Sequence, residues 1–309
     1  MTRLKYRLYG VTLETPYMLP GVPPAAAGST ADVTVLWEGR DGCRSGWKTL
    51  EPSTQPHAPE VGTTADGETC LAWREGSEGM LWIVAADGSC VRLYCAEHHF
   101  VHAAAMTVGL ILGVVLQRRG VLCLHGAAVS WKGRSLAVLG ASGSGKSTLS
   151  AALVARGATL LADDLVAVTQ AAGAPAVERG CLGIRLLPAS LEQGIVPAGR
   201  NVGKAIHHGK HLWDLSAEAE LGERACPLEG IWVLRPAPQD SGAFAMAALA
   251  PMDAMRQLVS NWYPPSLFRL MEPAAFSRMR ELACDVPVRA VTYGHRWSHL
   301  SALAETLLA

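Results

Sequence analysis

At 309 residues, half of them hydrophobic, the chain can bury a full core, which excludes disorder as its main state; length alone suggests about two domains. Its 27 Lys and Arg balance 27 Asp and Glu, so the cationic excess of a dedicated nucleic-acid or anionic-membrane binder is absent. Eight cysteines, at 43, 70, 90, 95, 123, 181, 226 and 284, form no Cys-x-x-Cys pair and read as reduced thiols of a cytoplasmic protein.

Taken in order, residues 1–100 carry short alternating segments, among them Lys5–Tyr9, Val33–Trp37, Leu81–Val84 and Cys90–Tyr94. Gly, Pro, Asp and Ser clusters separate them, which predicts a small antiparallel sheet with loops over 20–24 and 38–62. No catalytic spacing occurs here. Glu97, His98 and His99 are adjacent, but three consecutive side chains cannot all face one ion, so they read as a solvated strand end. The first 20 residues lack a signal-peptide core. The longest apolar run, Ala103–Leu116, has 14 residues against the about 20 a bilayer needs. It predicts a buried helix from about His102 to Arg118, a hinge over 101–120.

Beyond the hinge the texture changes. Val121–Trp131, the turn Lys132-Gly133 and Arg134–Leu139 read as a hairpin. If Trp131 pairs with Arg134, each step outward keeps a position sum of 265, which sets His125 opposite Gly140. Gly140, Ala141, Ser142, Gly143, Ser144, Gly145, Lys146 and Ser147 complete the spacing G-x-x-x-x-G-K-[ST] of a phosphate-binding loop, with Thr148 opening the helix behind it. Glycines allow successive N–H groups to turn inward around a phosphate, and the helix adds its free donors and positive end. Lys146 suits the β and γ phosphates of ATP, and the Ser147 hydroxyl suits Mg²⁺.

The next strand, Thr159–Ala162, is expected to run parallel to Arg134–Leu139 and to end at the same edge as the loop, where Asp163 and Asp164 stand. Because side chains alternate, one carboxylate should face the phosphates and the other elsewhere. Such a group can hold Mg²⁺ or accept a hydroxyl proton, and mutual repulsion favours proton uptake by one of the two. The basic stretch Arg200–His211 reads as a mobile lid or a surface loop. His207 and His211 have i, i+4 spacing, but Gly209 between them argues against a zinc pair. Glu229–Leu234 and Val288–Tyr293 read as strands, and 250–282 and Trp297–Leu308 as scaffold helices, with Arg269, Arg278 and Arg280 as surface charges.

His125-Gly126, the loop through Lys146-Ser147 and Arg156-Gly157-Ala-Thr-Leu-Leu-Ala-Asp163-Asp164 together resemble the kinase domain of the HPr serine kinase/phosphorylase family. The spacing matches too: 21 residues from His125 to Lys146 and 17 from Ser147 to Asp164. A more distant similarity links that domain to the phosphoenolpyruvate carboxykinases. The resemblance implies an α/β fold, a P-loop kinase domain of HPr-kinase/carboxykinase-like type over 121–309 with a smaller β-rich N-terminal domain. It implies Asp164 as general base, His125 as its assistant and Ser147 as a Mg²⁺ ligand, with Asp163 beside it. The family's metal-binding glutamate has its nearest match at Glu178-Arg179-Gly180, at a shorter interval and with one residue missing between Glu and Arg. Its mobile-loop arginine corresponds to Arg200 or Lys204.

The first hundred residues, with Leu186-Leu187-Pro188 and Ile231–Leu234, resemble HPr-kinase-like proteins encoded beside ribosomally made peptides, some of which phosphorylate a lasso-peptide precursor. The expectation is an ATP- and Mg²⁺-dependent kinase acting on a serine hydroxyl of a small peptide or protein, with no nucleic-acid or membrane partner and with homo-oligomerisation left open. The loop alone also suits a non-catalytic ATP-binding or peptide-guiding module, or a kinase of a small-molecule hydroxyl.

Overall fold

The computed structural model describes residues 3–40, 50, 59–75, 78–195, 199–204, 209–217, 225–237, 244–265, 267, 271, 273–294 and 297–308. The expectations for His207 and Arg269 lie outside them. Strands β1 (Leu4–Leu8), β2 (Val11–Thr15), β3 (Val33–Trp37), β4 (Glu60–Thr63), β5 (Thr69–Glu75), β6 (Glu78–Val84) and β7 (Cys90–Tyr94) form one seven-stranded sheet in the order β1-β2-β3-β7-β6-β5-β4. It is neither small nor wholly antiparallel, as β2–β3 and β3–β7 pair in parallel. The long connections before β3 and β7 leave room for the crossovers that parallel pairing needs, a feature strand alternation does not encode. At its near edge the β1–β2 turn is Tyr9-Gly10, both at positive φ, the backbone of a tight two-residue hairpin.

One helical stretch of 22 residues, Glu97–Arg118, follows. A 3₁₀ turn at Glu97–His99 leads into α1 (Phe100–Met106), a π turn at Thr107–Ile111 and α2 (Leu112–Arg118). It is long and apolar enough to cross a bilayer, with a mean hydropathy of 1.9, yet 67% of that window is buried within the protein. Ala103, Ile111 and Val115 share a single core with Tyr6, Leu8 and Leu13 of the first sheet and with Leu124, Leu165 and Val233 beyond the helix. The stretch expected to be a hinge is therefore a layer packed between both halves. Gly113 makes this approach possible, since a Cβ there would lie 2.8 Å from the Tyr263 ring.

After it come β8 (Leu122–Trp131), β9 (Arg134–Gly140), α3 (Lys146–Val154), β10 (Thr159–Ala171), β11 (Ala174–Glu178), β12 (Gly183–Leu186), α4 (Pro188–Glu192), β13 (Arg200–Lys204), β14 (His211–Asp214), β15 (Ala225–Ala237), β16 (Phe244–Ala248), α5 (Pro251–Ser260), α6 (Pro273–Asp285), β17 (Val288–Gly294) and α7 (Trp297–Leu308). A second sheet runs β11-β10-β8-β9-β15-β17-β16, and β11 also pairs with β15, so five of its strands close on themselves. The β8–β9 ladder has the expected register, from Trp131↔Arg134 to Gly126↔Leu139. β10 runs in the direction of β9, each being antiparallel to β8, which lies between them. It does not stop at Ala162: Asp163 and Asp164 lie inside a strand of 13 residues. Residues 200–204 and His211 of the basic stretch are strand, since β13 and β14 join β12 in a three-stranded sheet.

Candidate active site

The apolar side chains of Ala137, Val138 and Leu139 drive β9 into the core, and its last residue, Gly140, opens the loop at φ 143°. Gly143 and Gly145 hold φ of 79° and 88°, left-handed conformations that glycine adopts without penalty. Gly145 is also pressed against the Tyr293 hydroxyl, which donates to the Ser144 carbonyl. The loop is thus shaped by its own backbone and braced by the end of β17. Lys146 folds back across it, its Nζ donating to Gly140 O at 2.8 Å and Ala141 O at 3.1 Å. Burial lowers the lysine's pKa, while the charges of Asp163 and Asp164 oppose that shift.

From the first turn of α3, Ser147 Oγ donates to Asp163 Oδ1 at 2.9 Å. Asp163 Oδ2 accepts from the backbone N–H of Arg185 at 3.1 Å. Burial pushes this carboxyl above its ordinary value, outweighing the amide and charge of Arg185 that pull it down. Asp164 is held by Arg185 Nη1 at 3.2 Å, by His125 Nδ1 at 3.5 Å and by the Tyr263 hydroxyl, which donates to Oδ2 at 3.4 Å. Burial would raise this carboxyl too, but Arg185, His125, Lys210 and Lys146 outweigh it and keep it below the usual carboxylate range. Of the pair it is Asp163 whose carboxyl is raised, by burial first, with the Asp164 charge a lesser cause.

The two aspartates, expected to face different ways, take different partners: Asp163 meets Ser147 and the Arg185 backbone, Asp164 the Arg185 guanidinium, His125 and Tyr263. Asp164 has φ 79°. The other described non-glycine residues at positive φ, Tyr9, Lys132 and Ala172, each precede a glycine in a hairpin turn, whereas Asp164 sits in mid-strand. A left-handed residue breaks the two-residue alternation of a strand, and here Asp164 and the next residue, Leu165, both face the long helical stretch, beside Gly109 and Gly113.

His125 lies beside them, one step past the last β8–β9 pair, Gly126↔Leu139. Asn261, which follows α5, stands between the two strand ends: its carbonyl accepts from His125 N–H at 2.6 Å and its Oδ1 from Gly140 N–H at 3.1 Å. The His125 ring stacks on Tyr263 with centroids 6.0 Å apart and an interplanar angle of 17°. Burial lowers the imidazole pKa against the pull of Asp164. For Tyr263, burial first and the Asp164 charge second raise the phenol well above its ordinary value, so it stays a donor.

The structure therefore brings Lys146, Ser147, Asp163, Asp164 and His125 together. Glu178 does not join them. β11 pairs with the second half of β10, beyond the aspartates, so the Glu178 carboxylate accepts from Thr169 Oγ1 at 3.2 Å and packs beside Gly10. Among the described residues no three His, Cys, Asp or Glu side chains gather to hold a metal. Arg200 is also elsewhere: it is exposed on β13, 3.5 Å from Asp214. The cations that act on Asp164 are Arg185, Lys210 and Lys146. Sequence reading gave Arg185, Asn261 and Tyr263 no role. Only the Arg-rich, Gly-flanked context of 179–185 and the Tyr-Pro-Pro break after α5 hinted at them.

The residues present suit ATP and Mg²⁺. Inward-turning glycines and the α3 N-terminus fit phosphate oxygens, and the Ser147 hydroxyl beside the Asp163 carboxylate is an oxygen pair of the kind Mg²⁺ takes. No family model matches the chain, and no curated protein sequence matches it. Among solved structures it is similar to the Hpr(Ser) kinase/phosphatase from Coxiella burnetii, at 14% identity and a TM-score of 0.31, over 60% of this chain and 93% of that one.

Proposed function

We propose that the protein is an ATP- and Mg²⁺-dependent kinase that phosphorylates a serine hydroxyl on a small peptide or protein. The observation that carries this reading is the join between loop and strand: Ser147 Oγ bonded to Asp163, with Asp164 and His125 next in line. ATP with Mg²⁺ supplies the transferable phosphoryl group. The loop amides and Lys146 would bind its phosphates, and Ser147 with Asp163 would hold the metal. Asp164, kept ionised by its cationic neighbours, would accept the acceptor hydroxyl's proton, and His125 would fix its carboxylate. A non-catalytic nucleotide holder needs the loop but has no use for a paired carboxylate oriented by an imidazole.

The serine acceptor, and within that class a ribosomally made precursor peptide of the lasso type, is the finer part of the proposal and rests on the motif resemblance. Intact mass spectrometry with ATP and Mg²⁺ tests it: an acceptor peptide should gain about 80 daltons, the mass of one transferred phosphoryl group. The gain should vanish with Lys146→Ala and with Asp164→Asn. Transfer retained by both variants would falsify the assignment.

A further inference from the structure

Asp164 holds a backbone conformation that a non-glycine residue keeps only when its surroundings over-determine it. Three side chains surround its carboxylate, and the residue that carries one of them also gives its backbone N–H to Asp163. Arg185, on β12, gives its backbone N–H to Asp163 Oδ2 at 3.1 Å and its guanidinium to Asp164 Oδ2 at 3.2 Å. Its side chain is 26% exposed, so its charge is largely withdrawn from water and paired in place. Burial alone would weaken that charge, but the Asp164 carboxylate more than compensates, and the guanidinium stays protonated.

We propose that the Arg185 side chain is the positioning group of Asp164, the charge that holds its carboxylate in place in mid-strand while the backbone of the same residue bonds Asp163. The inference rests on the kinase reading for its consequence and on the backbone geometry for its existence. A planar fork on a rigid strand fixes a carboxylate in direction as well as distance, which a lysine point charge does not. Of the three side chains on Asp164, Arg185 alone brings a permanent charge. β12 is in turn fixed by pairing with β14, from Gly183↔Asp214 to Leu186↔His211. The three-stranded sheet thereby acts on the site through one arginine.

The test uses the full chain with Arg185→Ala and Arg185→Lys, read in two ways. Crystal structures should show Asp164 relaxed to negative φ and its carboxylate turned away from His125 in Arg185→Ala. Kinetically, kcat should fall roughly 10- to 100-fold, as for other residues that orient a reacting group, while the KM for ATP stays put. Added guanidinium should restore part of kcat to Arg185→Ala, saturably, and none to wild type. Arg185→Lys, which keeps the charge without the fork, should lose kcat as well and carries the test if the alanine variant does not fold. Asp164 unmoved in the variant structures, or kcat unchanged, would overturn the proposal. Asp164 displaced in a protein whose wild type transfers no phosphoryl group would uphold the positioning role and sink the kinase reading instead.

Discussion

Asn261 accepts the Gly140 N–H through its side chain at 3.1 Å while its own carbonyl takes the His125 N–H at 2.6 Å. The phosphate loop and the imidazole strand are thus spaced by one residue from a third segment. Asn261 is 6% exposed, and its Nδ2 donates to Gln257 O at 2.8 Å, so the wedge is anchored to the end of α5.

Replacing that wedge should loosen both sides of the site. In Asn261→Ala the Gly140 N–H loses its buried partner, while the Gln257 carbonyl keeps the backbone N–H of residue 261, at a cost of about 1 to 3 kcal/mol. Urea unfolding should show that loss, and ATP titration a severalfold weaker affinity, because the first residue of the loop is freed. An unchanged affinity would mean the loop holds its shape without Asn261.

Lys146→Ala and Asp164→Asn should separate binding from transfer. Lys146 belongs to the loop and contacts its carbonyls, so its loss should abolish tight ATP binding. Asp164 has no bond to the loop; its partners are Arg185, His125 and Tyr263. Asp164→Asn should bind ATP normally yet transfer at least about 100-fold more slowly, the scale of a lost general base. Calorimetry and single-turnover kinetics on the same preparations check both halves.

What the sequence made legible was local. The loop, the hairpin register and the direction of β10 depend on neighbouring residues, and a motif of eight positions records them. Arg185, Asn261 and Tyr263 were illegible because their role depends on long-range packing: Tyr263 meets Asp164 from 99 residues away and Asn261 meets Gly140 from 121. Asp164 escaped for another reason. Nothing in Leu-Ala-Asp-Asp-Leu announces a left-handed residue, because tertiary partners impose that conformation. The parallel pairings of β3 were hidden in the same way, since alternation reports which face is buried and not which strand lies alongside.

The helical stretch between the halves should matter to chemistry it was not expected to touch. A Cβ at Gly109 would lie 2.9 Å from the Tyr263 hydroxyl and 3.5 Å from Asp164 Oδ2. Gly109 sits in the π turn, a local irregularity that often marks functional positions. Gly109→Ala should displace Tyr263 from Asp164, costing about 1 to 3 kcal/mol in overpacking. Phosphoryl transfer should fall while ATP affinity holds, as the loop lies elsewhere. Nucleotide affinity falling in step with transfer would place the damage in the fold and not at Asp164.

The opposite shifts of the two aspartates should be visible in stability without any nucleotide. Asp164 is depressed in the folded state, so it adds stability above its unfolded value of about 3.9, lost as pH falls through the folded value. Asp163 is raised, so its contribution is fully present below that unfolded value and is lost as pH rises through its folded value. The folded state releases the Asp164 proton and keeps the Asp163 proton, and the slopes oppose each other. Removing the second by Asp163→Asn should leave the first alone. Unfolding free energy measured by denaturant in metal-free buffer between about pH 3 and 6 should then climb more steeply with pH in the variant than in wild type. Parallel curves would mean that Asp163 carries no excess proton affinity in the folded protein.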